Sequence, residues 1–367
     1  MKSNLVKLNP FKLNPCMGVT ALLLFAALAI TVQNSAQCQT INVDLPQKGQ
    51  ITTFDGPGSF ATYPEAINPA GVITGYYCQF LYCYGFLRTA EGTIITFDPP
   101  DANGYTYPYA INPAGAITGY YFDTSNVTRG FLRAGDGSFT PFAPPGALFT
   151  YPFAINPAGE VTGFYFDALP GCHGFLRGSD GSFTKFNAPR ATWCTLPATI
   201  NPAGEIVGYD SAYTGIEHGF LRARDGSFTT LDVPGANKTR AGEGTFALSI
   251  NPAGEITGNY FDTRSMSHGY LRTRDGSLIK FNAPGGVGGT FPTSINPRGE
   301  ITGYYLDASS GSRGFVRARD GTFTTFQAPG AGTGFGRGTL PLSINPTGEI
   351  TGNYFDANFM SHGFLRK

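Results

Sequence analysis

Residues 290–326 read TFPTSINPRGEITGYYLDASSGSRGFVRARDGTFTTF, and this one stretch parses into four short β-strands. The first runs from Thr290 to Ile295 and ends in a turn, where Pro297 presets φ and Gly299 supplies a positive φ. Ile301, Thr302, Tyr304 and Tyr305 are β-formers in a second strand from Glu300 to Asp307. Gly314 to Arg317 forms the third strand. The dipeptide Asp320-Gly321 then predicts a two-residue hairpin into the fourth, Thr322 to Phe326. A four-stranded antiparallel meander repeating every ~45 residues is the size of a propeller blade.

The stretch recurs along the chain. Ile-Asn-Pro-x-Gly begins at Ile67, Ile111, Ile155, Ile200, Ile250, Ile295 and Ile344, at steps of 44, 44, 45, 50, 45 and 49 residues. Gly-aromatic-aliphatic-Arg begins at Gly85, Gly130, Gly174, Gly219, Gly269, Gly314 and Gly363. Phase decides between an open stack and a ring. Ile51 to Phe54 is an orphan fourth strand, and the chain stops at Lys367 just after an orphan third strand. A solenoid would instead carry atypical capping repeats. The predicted fold is therefore all-β: a seven-bladed β-propeller of four-stranded antiparallel blades over 51–367, closed by pairing of the N-terminal strand with the C-terminal hairpin. Closure also removes exposed sheet edges, and a monomer is expected.

Composition agrees and excludes alternatives. Glycine and proline, 50 and 27 of 367 residues, are too abundant for a mainly helical protein, and 41% hydrophobic content is too high for a disordered one. Lys plus Arg balance Asp plus Glu at 25 each. No basic run follows the first dozen residues, so nucleic acid is not an expected partner. Lys2, Lys7 and Lys12 precede an apolar run from Met17 to Val32 that gives way to Asn34, Ser35 and Ala36. This reads as a signal peptide over 1–36 followed by a linker over 37–50. The run is short for a membrane span of about 20 residues, so a retained anchor is the lesser alternative. The expected location is secreted, extracellular or periplasmic, with no membrane span after cleavage. Export fits the cysteines: Cys78 with Cys83, and Cys172 with Cys194, are candidate disulfides. A C-x4-C pair with no second pair nearby is not a metal site.

Three positions recur around the ring. His173, His218, His268 and His362 precede the third-strand glycine, where other blades carry Tyr84, Arg129 and Arg313. The third strand lies far from the axis, too far for neighbouring histidines to share an ion, and a local hydrogen-bonding or packing role is expected. Thr62, Thr106, Thr150, Thr195, Thr245, Thr290 and Thr339 begin the first strands. Their hydroxyls either line the channel mouth or, the preferred reading, satisfy backbone groups where blades meet. An Arg ends each third strand, and Glu160, Glu205, Glu255, Glu300 and Glu349 begin second strands, which predicts cross-strand ion pairs.

The units His-Gly-Phe-Leu-Arg at His173 and His218, each followed by Asp-Gly-Ser-Phe and then by Asn-Pro-x-Gly-Glu-Ile-x-Gly or its near equivalent, resemble the HAF-type extracellular repeat family of bacteria. Here the H-A-F triplet reads H-G-F, and Arg or Tyr replaces His in three blades. The resemblance covers about residues 51–367. It implies an extracellular propeller and brings no catalytic residues with it.

Function is expected on one face. The second-to-third and fourth-to-first strand loops emerge together, opposite the tight turns, and the loops 233–244 and 329–338 carry the extra length of the long periods. Loops on a rigid scaffold are the usual seat of binding. Lys238, Arg240, Glu243 and Arg337 lie there outside the repeat pattern, and Tyr107, Tyr151, Trp193 and Phe335 add aromatic surface. The first reading is a binding module presenting these side chains to a glycan or a protein. The alternative is a propeller lyase or hydrolase with a His/Glu acid–base pair, Glu217 beside His218 or Glu243 near His218 or His268. A structural envelope protein is the third. No cofactor or metal motif is present in the sequence.

Overall fold

A computed structural model describes residues 49–367, so the expected signal peptide and nearly all of the linker lie outside the described residues. The rest forms seven blades of four antiparallel strands. Seven inner strands surround the axis: Ala61–Ile67, Ala102–Ile111, Phe149–Ile155, Cys194–Ile200, Thr245–Ile250, Thr290–Ile295 and Gly338–Ile344. Each packs on the next, and Gly338–Ile344 returns to Ala61–Ile67. Blades are numbered 1 to 7 in the order of these strands. In blade 7 the outer strand is Ile51–Phe54, which pairs with Ser361–Arg366 in register from Ile51 opposite Arg366 to Phe54 opposite Gly363.

Both tight turns have the same form. In blade 6, Gly299 N–H donates to the Asn296 carbonyl at 2.9 Å and Asn296 N–H to the Glu300 carbonyl at 3.0 Å. Likewise Gly321 N–H donates to Ala318 and Ala318 N–H to Thr322. The second hairpin therefore has a three-residue loop, with Gly321 at φ +92°, not the expected two-residue turn. Its geometry is a type I turn closed by a left-handed residue. The second-strand glycine is required for a different reason: a Cβ on Gly163 would lie 2.1 Å from the Tyr151 carbonyl oxygen.

Apolar side chains fill the spaces between successive blades. Phe86, Ile73, Tyr77 and Ile67 of blade 1 bury against Leu365 of blade 7, and equivalent clusters recur around the ring. The conserved spacing of the repeats thus becomes seven interfaces, and no blade buries its own faces alone.

A second device ties the inner strands together. Asn68, Asn112, Asn156, Asn201, Asn251, Asn296 and Asn345 are buried, and each Nδ2 donates to the backbone carbonyl of the next, at 3.2–3.4 Å. In blades 3 to 7 the same Nδ2 also donates to a carboxylate four residues on, as from Asn296 to Glu300 at 2.7 Å. Both amide hydrogens are then used, which is what a buried amide requires.

This corrects the expected Arg–Glu pairing. The glutamates serve the asparagines, and the third-strand arginines lie over the outer-strand phenylalanine of the preceding blade: Arg88 over Phe54, Arg133 over Phe97, Arg177 over Phe142, Arg222 over Phe186, Arg317 over Phe281 and Arg366 over Phe326, at 4.8–5.2 Å. A delocalised guanidinium stacks on a ring while its stem stays in the apolar interface.

Candidate functional site

On the loop face, the residue before the third-strand glycine acts as a strap. His268 Nδ1 meets Asn282 at 2.8 Å and its Nε2 meets Asp262 at 3.2 Å. His173 Nδ1 meets Asn187 at 2.9 Å with Asp167 3.3 Å from its Nε2, and His362 Nδ1 meets Asp55 at 3.0 Å with Asp356 3.8 Å from its Nε2. Arg313 spans Asp307 and Gln327, and Arg129 holds Asp123. The strap joins the loop after the second strand to the end of an outer strand, so arginine and histidine can exchange there. The threonines that open the inner strands are buried. Those at 62, 195, 245, 290 and 339 accept backbone N–H groups of the preceding loops at 2.9–3.0 Å.

Blade 4 departs from the pattern at two places. Six blades put a tyrosine opposite the strap residue on the second strand: Tyr77, Tyr121, Tyr165, Tyr260, Tyr305 and Tyr354, where blade 4 has Asp210. Five blades carry the loop aspartate that holds the strap, Asp123, Asp167, Asp262, Asp307 and Asp356, where blade 4 has Ala212. His218 consequently keeps one carboxylate partner. Its Nδ1–H donates to Asp232 at 2.9 Å, since an ionised carboxylate only accepts. Its Nε2 has no hydrogen-bond or ion-pair partner among the described residues.

Charged groups gather around this imidazole. Asp210 is the cross-strand partner of His218 and is only 2% exposed, with Oδ1 unpartnered. Burial pushes its carboxyl up to about 6, with His218 opposing the shift and Asp232 adding to it. Glu217, bonded to the Ser211 hydroxyl at 3.2 Å, is pushed up to about 7 by burial, its Ser211 bond opposing and Asp210 adding. Asp232 is further contacted by Arg190 at 3.3 Å and Lys238 at 3.5 Å. The loop that carries Arg190 also presents Trp193, whose ring lies 5.3 Å from that of Tyr213. Both rings are exposed, at 44% and 68%. Shifted carboxyls, an oriented imidazole and apolar contact area therefore share one corner of the loop face.

The sequence-predicted site residues do not all meet there. Lys238 and Trp193 do. Arg240 bonds the Ser265 hydroxyl and lies 3.8 Å from Glu243, and Glu243 is buried and takes a hydrogen bond from Asn237 at 2.6 Å. Glu243 is a loop latch with no histidine beside it. Glu217 and His218 are neighbours on one strand, and the partner of His218 is Asp232. Arg337 covers the Phe359 ring at 4.1 Å, and Phe335 is 83% exposed. Tyr107 and Tyr151 sit on inner strands, where they stack on Tyr120 and Phe164, not on the loop rim. Cys78 is disulfide-bonded to Cys83 and Cys172 to Cys194, the second bond joining blade 3 to blade 4. Asp210 and Ala212 went unread in the sequence. Aligning the seven repeats column by column exposes both.

Among the described residues, no helix is long and apolar enough to cross a membrane, and no group of three His, Cys, Asp or Glu side chains is placed to hold a metal ion.

Solved structures share this architecture. A streptogramin B lyase structure is similar at 13% identity and TM-score 0.57, over 87% of this chain and 97% of that one. A virginiamycin B lyase from Staphylococcus aureus is similar at 11% identity and TM-score 0.56, over 87% and 99%. The β-propeller domain of the Trilobed protease from Pyrococcus furiosus, described as having an open velcro topology, is similar at 10% identity and TM-score 0.56, over 84% and 93%. At these identities the likeness is one of fold. No family model and no curated protein matches the chain.

Proposed function

We propose that the protein is a propeller enzyme of lyase or hydrolase type whose general acid–base group is His218. One observation carries the reading: His218 Nδ1 is held by the Asp232 carboxylate while no carboxylate faces its Nε2 among the described residues, whereas in each of the other three histidines an aspartate lies 3.2–3.8 Å from Nε2. The Asp232 contact fixes the tautomer and ring orientation, so that Nε2 presents its lone pair to a substrate proton. Asp210, the cross-strand neighbour of His218 and raised toward neutrality, supplies a second proton-carrying group beside it. Trp193 and Tyr213 offer ring faces suited to a sugar or another cyclic substrate. Two structures of the same fold are lyases, which makes the class compatible with the scaffold and no more.

Export is part of the proposal. It is supported by the charged-then-apolar amino terminus, the HAF-type repeat resemblance and two disulfides. A second reading, a binding module for a glycan or protein, is favoured by the exposed Trp193 and Tyr213 rings.

One experiment separates the readings. The full chain and its His218→Asn variant are incubated with a panel of polysaccharides and cyclic esters, and products are resolved by mass spectrometry. Fragments that together gain one water indicate hydrolysis, and fragments isomeric with the substrate plus new double-bond absorbance indicate elimination. Turnover lost in His218→Asn supports the enzyme. Absence of turnover, with glycan or protein capture unchanged in that variant, overturns it in favour of the binding module.

A further inference from the structure

The inner strands carry a separate feature, independent of the blade 4 reading. Every inner strand contains a β-bulge, where its register against the second strand skips one residue: Glu65, Tyr109, Phe153, Ala198, Leu248, Thr293 and Leu342. All seven are half-buried on strands whose flanking residues are mostly buried. Bulge residues of neighbouring blades come together at Tyr109 and Phe153, in edge-on contact at 4.9 Å. A bulge re-aims its side chain, and all seven lie on the strands that surround the axis. Glu65 is the one charged residue on the seven inner strands.

Its surroundings are aromatic. Tyr63 stacks on Tyr76 at 4.9 Å, Tyr76 meets Tyr107 edge-on at 4.9 Å, and Tyr109 stacks on Tyr120 at 5.7 Å. Tyr107 meets Tyr120 at 5.0 Å in turn, so the rings form one contiguous cluster that runs from Tyr63, on the strand of Glu65, to Tyr109, at the equivalent bulge of the next inner strand. The Glu65 charge raises the hydroxyl pKa of Tyr63, Tyr76, Tyr109 and Tyr120, secondary to their burial. On the other side, blade 7 brings Leu340 and Leu342 at the matching inner-strand positions. Among the described residues Glu65 has no hydrogen bond and no ion pair, and no cation faces it. Burial pushes its carboxyl up to about 8.

We infer that the Glu65 bulge binds an alkylammonium group, with Glu65 as counter-ion and the Tyr63, Tyr76, Tyr109 and Tyr120 rings as its aromatic partners. A carboxylate inside a wall of π-faces complements a bulky, weakly hydrated organic cation. A hard metal ion needs six or more oxygens, and one carboxylate does not provide them. The carboxyl must lose its proton to serve as counter-ion, so binding and proton release are linked.

The test is calorimetric titration of the full chain with tetramethylammonium chloride and with the peptide Gly-Lys-Gly, against sodium chloride at matched ionic strength. Saturable binding is expected, about a hundredfold weaker at pH 6 than at pH 9 because the carboxyl is mostly protonated at the lower pH. Glu65→Gln should abolish it and Tyr109→Leu should weaken it. Preference for tetramethylammonium assigns a small-molecule ligand, and preference for the peptide assigns a lysine side chain. Either preference upholds the site. No saturable binding at pH 9, binding independent of pH, or Glu65→Gln binding like wild type would overturn it.

Discussion

Asn345 Nδ2 donates to the carbonyl of Asn68 at 3.2 Å, across 277 residues of chain. This bond completes the circuit of seven asparagines, and it falls at the junction that the outer strand Ile51–Phe54 also seals. Chain ends are thus joined twice, once at the rim of blade 7 and once near the axis. Removing the side chain leaves the Asn68 carbonyl with Gly71 N–H as its remaining donor, takes the Oδ1 acceptor from the Thr347 and Glu349 N–H groups, and strips the Glu349 carboxylate of its 2.7 Å partner. Asn345→Ala should cost about 1–3 kcal/mol, the range for orphaning one buried polar group. Chemical denaturation of the variant against wild type measures it, and an unchanged midpoint would refute the closing role.

The arginine that ends each third strand makes an internally controlled prediction. In blade 3, Arg177 covers Phe142 at 5.2 Å and is buried. Arg272 of blade 5 faces the position where blade 4 has Leu231 and the other blades have phenylalanine, and it is only half-buried. Arg177→Ala should destabilise by roughly 2 kcal/mol, through lost ring contact and lost stem packing together. Arg272→Ala should cost clearly less. Equal shifts in the two thermal melts would show that the ring contributes nothing.

Seven-fold repetition made the architecture legible, because each strand boundary was effectively sampled seven times. The expected first strand from Thr290 to Ile295 and orphan strand from Ile51 to Phe54 coincide with the observed ones. What repetition conceals is orientation. Tyr107 and Tyr151 read as rim aromatics because they follow a loop, yet the inner strand packs them against second-strand rings of their own and the preceding blade. The bulge at Glu65 depends on a register skip that no composition pattern announces. Glu160 and its equivalents sit near third-strand arginines in sequence logic, but a buried asparagine amide competes for them and wins. The candidate site was hidden differently: Asp210 and Ala212 matter as departures from a column, and reading for what recurs passes over what does not.

Asp210 sets a pH dependence. Its carboxyl rises from the ordinary 3.8 to about 6 in the folded chain, chiefly by burial. Between those values the folded state holds a proton that the unfolded state has lost, so stability falls as pH rises through the window and levels off above it. Asp210→Tyr restores the residue of the other six blades and removes the group. The variant should gain on wild type between pH 4 and pH 7, by at most about 3 kcal/mol. Denaturation midpoints taken across that range give the answer. A gap that stays constant with pH would mean that Asp210 ionises as freely in the fold as out of it.

Ala212→Asp provides the sharpest test of the proposed acid–base role, because it adds a contact without removing one. In blade 5 the equivalent Asp262 bonds histidine Nε2 at 3.2 Å, and in blade 3 Asp167 lies 3.3 Å from it. The same carboxylate at position 212 would occupy His218 Nε2, complete the strap and leave Nδ1 on Asp232. Stability should hold or rise slightly, as expected for one more partly buried hydrogen bond to a charged group. Turnover should fall by at least about tenfold, since a base whose lone pair is already engaged cannot take a substrate proton. His218→Asn loses the same activity by removing the ring, so agreement between the two variants isolates Nε2 as the working atom. Full activity in Ala212→Asp, with its melt unchanged, would mean that His218 is a strap like the other three.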